Sequence, residues 1–375
     1  MTLSSLNCWQ PRSLYQEATT LPAEMYTSDE IYQLEKELIF GKTWCYVGHK
    51  NQLQGNGSYF TVELAEQPLV IVQTQTGDLR GYFNICPHRA GPVAVGSGTS
   101  HHLTCLYHAW SFDLSGKLRG LPDMELAENF DRDRHGLQPI QVDTWGPFIF
   151  VNLDRNAAPL SVQLGELPAL FQHYRFSEWA RVHSVDYSTE TNWKLYVENN
   201  VESYHEFSVH ASIAKYYKAT RAEARHYYYL QYAPFPPDDD AYTMPADRCF
   251  AGLGEVERNG KWTVSFFPNF AWIIRPWIAI IYLIDPQGRS RTRIRWDWLV
   301  PDTESAKAPE NLEPLIQFFD TIQQEDLRLL PEIQKRIHSL GYRPGRLSPT
   351  REMGTHLFQE LTMQHLASGF QPKLD

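Results

Sequence analysis

Asn192-Trp-Lys-Leu-Tyr-Val-Glu-Asn-Asn-Val-Glu-Ser-Tyr-His-Glu-Phe-Ser-Val-His210 is the stretch on which the reading of the chain turns. It reads as a helix, yet two imidazoles and several carboxylates stand among its apolar residues, a face that is costly to bury without a cation. Glu202 and His205 are three apart and share a helical face, with Glu198 one turn earlier on the same side. His210 is five beyond His205. To point at the same object it must lie past the helix end or across a local bulge.

Two neutral imidazoles and one carboxylate, with coordination positions left open, form the non-haem Fe(II) arrangement. This stretch offers the two histidines. The carboxylate is expected in a C-terminal helix over 309–340, where Phe319, Ile322, Leu329, Leu330, Ile333 and Ile337 fall on one stripe with Asp326 in its middle. Glu325 is expected to project elsewhere, with Arg328 as a surface neighbour, so geometry selects Asp326 over it. Pro331 is expected to kink this helix. The other readings are a chance His-x4-His spacing among 14 histidines and a buried ion-pair role for Asp326.

A second cluster lies upstream, in a region of short β-type runs such as Ser58–Leu64 and Pro68–Gln73. Cys86-Pro-His88 and Cys105-Leu-Tyr-His108 are separated by sixteen residues. Two loop-borne Cys/His pairs in a β module match a Rieske 2Fe-2S centre, with Cys on one iron and His on the other. A structural Cys2His2 zinc site is the alternative.

The two boxes, the trailing Trp110-Ser-Phe-Asp-Leu-Ser-Gly-Lys117 and the later Asn-Trp-Lys, Glu-Asn, Tyr-His and His string resemble the Rieske non-haem iron oxygenases, the ring-hydroxylating oxygenase α-subunits, over most of the chain. Leu106 departs from the proline usual in the second box, which alters loop rigidity but no ligand. The resemblance implies an α+β chain: an N-terminal segment over 1–43 packing on the catalytic domain, an all-β Rieske domain over 44–153, and a catalytic domain over 154–375 with an antiparallel sheet covered by helices in a helix-grip-like fold. It implies a 2Fe-2S cluster on Cys86, His88, Cys105 and His108, and one mononuclear Fe(II) on His205, His210 and Asp326.

In such a family, three copies form a homotrimer in which a carboxylate bonds a ligand histidine from each of two subunits. By position that electron bridge is Glu202, where many members have aspartate. The implied partners are O2, a small-molecule substrate, and an NAD(P)H-dependent flavin/iron-sulfur reductase or a ferredoxin. The Glu325–Lys335 and Gly341–Arg346 strings and Glu202-Ser-Tyr-His205 look most similar to the homotrimeric branch acting on quaternary ammonium compounds such as choline, carnitine and glycine betaine. Hydroxylation of an aromatic acid or hydrocarbon is the alternative, and an electron carrier without chemistry would need only the β module. Tyr204, Phe207, Trp272, Arg275, Trp277 and Tyr282 are the pocket candidates.

A net charge of −10 over 375 residues provides no basic stripe for a general nucleic-acid binder. Met1–Ala18 lacks the continuous apolar segment of a signal peptide, which points to a cytoplasmic protein. Phe266–Ile284 is apolar but contains Pro268, Asn269, Arg275 and Pro276, which indicates two buried strands and a turn, not a membrane span. Five cysteines argue against a disulfide framework, and Cys8, Cys45 and Cys249 carry no assigned role. Further expectations are a helix over 27–40 closed by Gly41, a linker over 154–168, a tyrosine-rich run over 225–232, a loop over 235–240, and strands over 262–267, 272–284 and 291–300. No internal repeat is evident.

Overall fold

The computed structural model describes residues 15–214, 221–235 and 248–368. Of the expected loop at 235–240 only Phe235 is among them, and most of Met1–Ala18 lies outside them. The chain forms two units, one of Phe40–Leu160 and one of Met1–Ile39 with Ser161–Asp375.

Phe40–Leu160 is built of β1 (Cys45–His49), β2 (Ser58–Leu64), β3 (Gln67–Gln73), β4 (Leu79–Phe83), β5 (Ser97–Thr99), β6 (His102–Thr104), β7 (Ser111–Asp113), β8 (Leu118–Gly120), β9 (Pro139–Trp145) and β10 (Phe148–Asn152). Seven strands pair in the order β1-β10-β9-β4-β3-β2-β5, and β6, β7 and β8 form a small separate sheet. Val70, Val72, Tyr82, Trp110 and Phe112 fill a core that also holds Cys86 and Cys105. The two cysteines hang on the β4–β5 and β6–β7 connections, so strands flank both boxes.

The other unit is a seven-stranded antiparallel sheet of β11 (Trp179–Thr189), β12 (Arg221–Arg225), β13 (Tyr228–Pro234), β14 (Gly260–Phe266), β15 (Phe270–Arg275), β16 (Ile278–Pro286) and β17 (Thr292–Pro301), in the order β11-β17-β16-β15-β14-β13-β12. β16 is buried along its whole length, as its unbroken apolar run requires. The run expected as one strand over 272–284 is divided between β15 and β16, which turn at Pro276–Trp277.

Five helices concern the site: α1 (Asp29–Glu35), α2 (Trp193–Asn200), α3 (Glu206–Val209), α4 (Pro309–Ile337) and α5 (Met353–Ser368). Ser28 caps α1 by accepting the Ile31 N–H, and the chain then widens into a π turn at Lys36–Phe40. α4 runs on through Pro331 and buries Phe319, Gln323, Asp326, Leu330, Gln334 and Ile337 at three- and four-residue spacing. Leu329, expected on that stripe, is 38% exposed. Among the described residues, no helix is long and apolar enough to cross a membrane.

Polar side chains fix α2 from several directions. Asn192 caps it through the Lys194 N–H, while its own N–H donates to Gln334 of α4 at 2.8 Å. Lys194 and Trp193 both reach the buried Glu35 carboxylate of α1. A buried ion pair of this kind is damaged most by removing one partner, which strands the other charge.

Glu198 does not share a face with Glu202 and His205; it turns to Tyr26, whose hydroxyl donates at 2.8 Å, and to Gln359, whose amide donates at 3.1 Å. Burial pushes its carboxyl up from 4.5 to about 7, although those hydrogen bonds lower it. A carboxyl raised in the folded state adds stability that is complete below its unfolded pKa and is lost as pH rises through the folded one. The window is therefore 4.5 to about 7, and the loss is about 3 kcal/mol. Urea midpoints should fall from about pH 5 to about pH 8 in the wild type and fall less steeply in Glu198→Gln.

Candidate metal centre

Helix α2 ends at Asn200 because the residues after it compete for its backbone. Asn199, Asn200 and Ser203 are weak helix formers, and the Glu202 carboxylate accepts the N–H groups of Tyr204 and His205. A continuing helix would have given those donors to the carbonyls of Asn200 and Val201. One turn, α3, then restarts with His205 just before it and His210 just after it. His210 leaves the turn at φ −110° and ψ 80°, and its Nε2 comes within 3.2 Å of His205 Nε2. Of the two arrangements open to His210, the position past a helix end is the one adopted, but the helix is a single turn and not the long one expected.

Asp326 approaches from α4, its Oδ1 3.2 Å from His210 Nε2 and 3.7 Å from His205 Nε2. The three ligand-type atoms lie within 4.8 Å of one another. Donors about 2.1 Å from one cation, at near right angles, sit about 3 Å apart, so this set fits a single first-row ion with positions left open. The outer nitrogens agree. His205 Nδ1 faces Glu202 Oε1, and His210 Nδ1 lies 2.8 Å from Glu325 Oε2. Each carboxylate accepts an Nδ1–H and leaves the Nε2 lone pair facing the triad, the tautomer a ligand needs.

Burial disfavours the charged form of both imidazoles, but the carboxylates outweigh it. His205 is held above its usual pKa by Glu202 and Asp326, and His210 by Asp326 and Glu325. Three carboxylates around two imidazoles leave a surplus of negative charge that a divalent cation would offset. Asn199, which the sequence reading did not single out, places its Nδ2 3.3 Å from His205 Nε2 and 3.4 Å from Asp326 Oδ1.

Glu325 was expected to face away, and here the structure corrects the reading. Adjacent helical residues do diverge, but imidazole is a bridge with two nitrogens on opposite sides, so one ring spans the directions of both Asp326 and Glu325. Glu325→Gln should weaken metal retention or turnover by about 10–100-fold while the visible absorption of the chain is unchanged, as read by iron titration beside product formation.

In the other unit the two boxes fold alike. Ala90 and Ala109 each take a left-handed backbone, and each N–H returns to the carbonyl of its own cysteine, Cys86 at 2.9 Å and Cys105 at 3.0 Å. His88 and His108 have ring centroids 4.7 Å apart, and His88 stacks on Trp110 at 4.8 Å. A Cβ on Gly91 would stand 2.8 Å from Cys105 Sγ, so only glycine allows the loops this approach. His108 Nδ1 is buried with no hydrogen-bond partner among the described residues. Burial holds the Cys86 thiol above its ordinary pKa. Two close thiols and two close imidazoles, one with an orphaned nitrogen, suit the 2Fe-2S donor set.

A cavity opens beside the triad, enclosing about 670 Å³ including its mouth. Its floor is one face of the sheet, with Gln231, Lys261, Thr263, Ile273, Arg275 and Trp296; α2, α3 and α4 supply the roof. Of the pocket candidates, Arg275 and Tyr282 line it. Strand alternation turns Trp272 to the opposite face from Ile273, where it packs on Phe270 at 4.9 Å and Phe171 at 5.6 Å. Trp277 packs on Phe235 at 5.7 Å, while Tyr204 and Phe207 are 49% and 54% exposed outside the cavity lining. Tyr196, Trp296 and Phe319 are aromatic lining that the sequence reading missed.

Residues 176–368 match the family described as ring hydroxylating alpha subunit (catalytic domain), and residues 43–131 match the Rieske 2Fe-2S domain. A carnitine monooxygenase oxygenase subunit of Acinetobacter pittii is 29% identical over 93% of this chain and 95% of its own. A chloroplastic choline monooxygenase of Atriplex hortensis is 28% identical over 92% and 77%. Two solved structures of a quaternary ammonium Rieske monooxygenase, one holding L-carnitine and one described for carnitine oxidation and inter-subunit electron transfer, each superpose with a TM-score of 0.81 at 26% identity, covering 94% of this chain and 96% of theirs.

Proposed function

Because this chain belongs to the ring-hydroxylating oxygenase α-subunits, with a Rieske domain ahead of its catalytic domain, we propose that it hydroxylates a small substrate bearing a methylated cationic nitrogen, at a carbon next to that nitrogen. The observation that carries the reading is the His205–His210–Asp326 set at a cavity walled by Tyr196, Tyr282, Trp296 and Phe319. When bound, the 2Fe-2S cluster supplies electrons one at a time and the mononuclear iron supplies the centre at which O2 is activated.

The rest is the work of the chain's own side chains. His205, His210 and Asp326 would hold the iron; Glu202 and Glu325 keep the Nδ1 protons in place and so fix both rings. The aromatic walls exclude water and attract a quaternary ammonium group by roughly 0.5–2 kcal/mol per ring when desolvated. Glu202, Glu206 and Asp326, all in the lining, add charge of the favourable sign. The substrates named for the relatives, carnitine and choline, share a trimethylammonium group.

The working enzyme on this reading is a cytoplasmic homotrimer that draws electrons from an NAD(P)H-dependent reductase, with Glu202 joining His205 to a cluster histidine of the neighbouring copy. Glu202→Gln should then keep cluster, iron and trimer while coupled turnover drops sharply. Loss of iron instead would make Glu202 a support of the site alone, and a fully active monomer would refute the arrangement.

A second reading, hydroxylation of an aromatic acid, is favoured by the buried Arg275 in the cavity wall. Incubation with reductase, NADH and O2, scoring NADH consumption coupled to product by mass spectrometry, separates the two. Coupled oxidation of a trimethylammonium compound supports the first; coupled oxidation of an aromatic ring alone overturns it.

A further inference from the structure

Three adjacent strands set a group of donors along the cavity floor, apart from the metal ligands. Lys261 on β14 and Arg275 on β15 lie one step beyond the paired Trp262 and Ile274. Alternation therefore sends both to the face of Thr263 and Ile273, and all four line the cavity. Gln231 on β13 pairs with Thr263 and joins them. Arg275 is 5% exposed and Gln231 3%, and the Gln231 Nε2 has no hydrogen-bond partner among the described residues.

The Arg275 guanidinium carbon stands 4.9 Å from the ring centre of Phe319 and 6.0 Å from that of Phe235. A guanidinium held against aromatic faces offers its N–H donors along its edge. The Lys261 ammonium has Glu206 at 3.9 Å, beyond hydrogen-bond length. Burial lowers its pKa, Glu206 raises it, and Arg275 lowers it further. Two cationic side chains thus line one poorly solvated wall, with Glu206 3.9 Å from the Lys261 ammonium, and among the described residues the Gln231 amide N–H is a donor still to be satisfied.

We propose that this wall binds a carboxylate on the substrate, with Arg275, Lys261 and Gln231 as its donors. The inference rests on the reading of this cavity as the seat of a cationic substrate, and it makes that substrate a zwitterion. A carboxylate is planar and accepts two parallel N–H bonds from a guanidinium edge, and its charge relieves the repulsion between Lys261 and Arg275. The cationic nitrogen is left to the helical roof, where Glu202 and Asp326 stand.

Equilibrium dialysis of the iron-loaded protein against γ-butyrobetaine, its methyl ester and benzoate tests this. The ester keeps the trimethylammonium group and loses the negative charge. Wild-type protein should bind the acid at least about tenfold more tightly than the ester. Arg275→Gln should bring that ratio toward one by weakening the acid alone, with Lys261→Gln acting in the same direction. An ester that binds wild-type protein as tightly as the acid overturns the inference without need of a variant, and so does a ratio unchanged in Arg275→Gln. If neither trimethylammonium compound binds while benzoate binds in an Arg275-dependent way, the carboxylate site stands and the cationic reading falls. Failure of both acids to bind overturns the carboxylate site.

Discussion

His205→Ala should yield a protein that keeps its red-brown colour and forms no product. His205 and Asp326 belong to residues 179–301 and α4 of one unit, whereas the cluster boxes belong to Phe40–Leu160, so no donor of the cluster boxes is removed. Removing the imidazole deletes one of three donors and takes from the Glu202 carboxylate the ring N–H that it faces, leaving it the backbone N–H groups of residues 204 and 205. The loss should exceed the roughly 10–100-fold cost of losing a supporting partner, because the donor itself is gone. Asp326→Ala should behave alike, and Asp326→Asn should fall between, since it keeps an oxygen but loses the charge. Metal analysis should then find the cluster iron and no mononuclear iron. A His205→Ala protein with coupled turnover near the wild-type rate would remove His205 from the site.

The second large effect is the reverse. His88→Ala or His108→Ala should abolish the visible absorption and acid-labile sulfide while the catalytic unit stays folded, because the donors of the two sites come from separate units of the chain. The His88 ring also stacks on Trp110, which Phe130 and His135 meet edge-on within 6.4 Å. Loss of the ring therefore removes both a candidate ligand and a ring stacked on Trp110. Such a variant should still bind iron at the triad and substrate in the cavity, with no NADH-driven product. A colourless wild-type protein holding zinc in these boxes would end the Rieske assignment of the donors.

Much of the candidate site was legible because it depends on residue types that are costly to bury among apolar neighbours. Cys86, His88, Cys105 and His108 stand at two short spacings in a β region, and the structure brings the two imidazoles side by side. His205, His210 and Asp326 stand out by the cost of burying such groups among apolar neighbours, and they meet. What escaped the sequence was direction. Placing Glu198 on the face of His205 assumes one unbroken helix, and the Glu202 carboxylate, by capturing two N–H groups, breaks that helix. Helical spacing sends Glu325 outward, because it gives the aim of a Cβ but not the reach of an imidazole beyond it.

The pocket suffered from a different ambiguity. Strands β15 and β16 are apolar on both faces, so their pattern carries no sign of which face looks into the cavity. Trp272 and Ile273 are equally plausible on composition, and only Ile273 lines it. Lys261 gave no signal at all, since a lysine at the start of a strand ordinarily reads as solvated; here it is nearly covered and faces Glu206.

The central claim is that one chain contains both the electron store and the site of oxygen chemistry. The most direct test reduces the iron-loaded protein chemically, removes the reductant, and exposes it with γ-butyrobetaine to 18O2 in a single turnover. Wild-type protein should give a product carrying one 18O atom on a carbon beside the cationic nitrogen, or the fragments of its N-dealkylation, and His205→Ala should give none although its cluster is equally reduced. Oxidation of the cluster by O2 at the same rate in both proteins, with no labelled product from any trimethylammonium compound or aromatic acid, would contradict it and leave the chain an electron carrier.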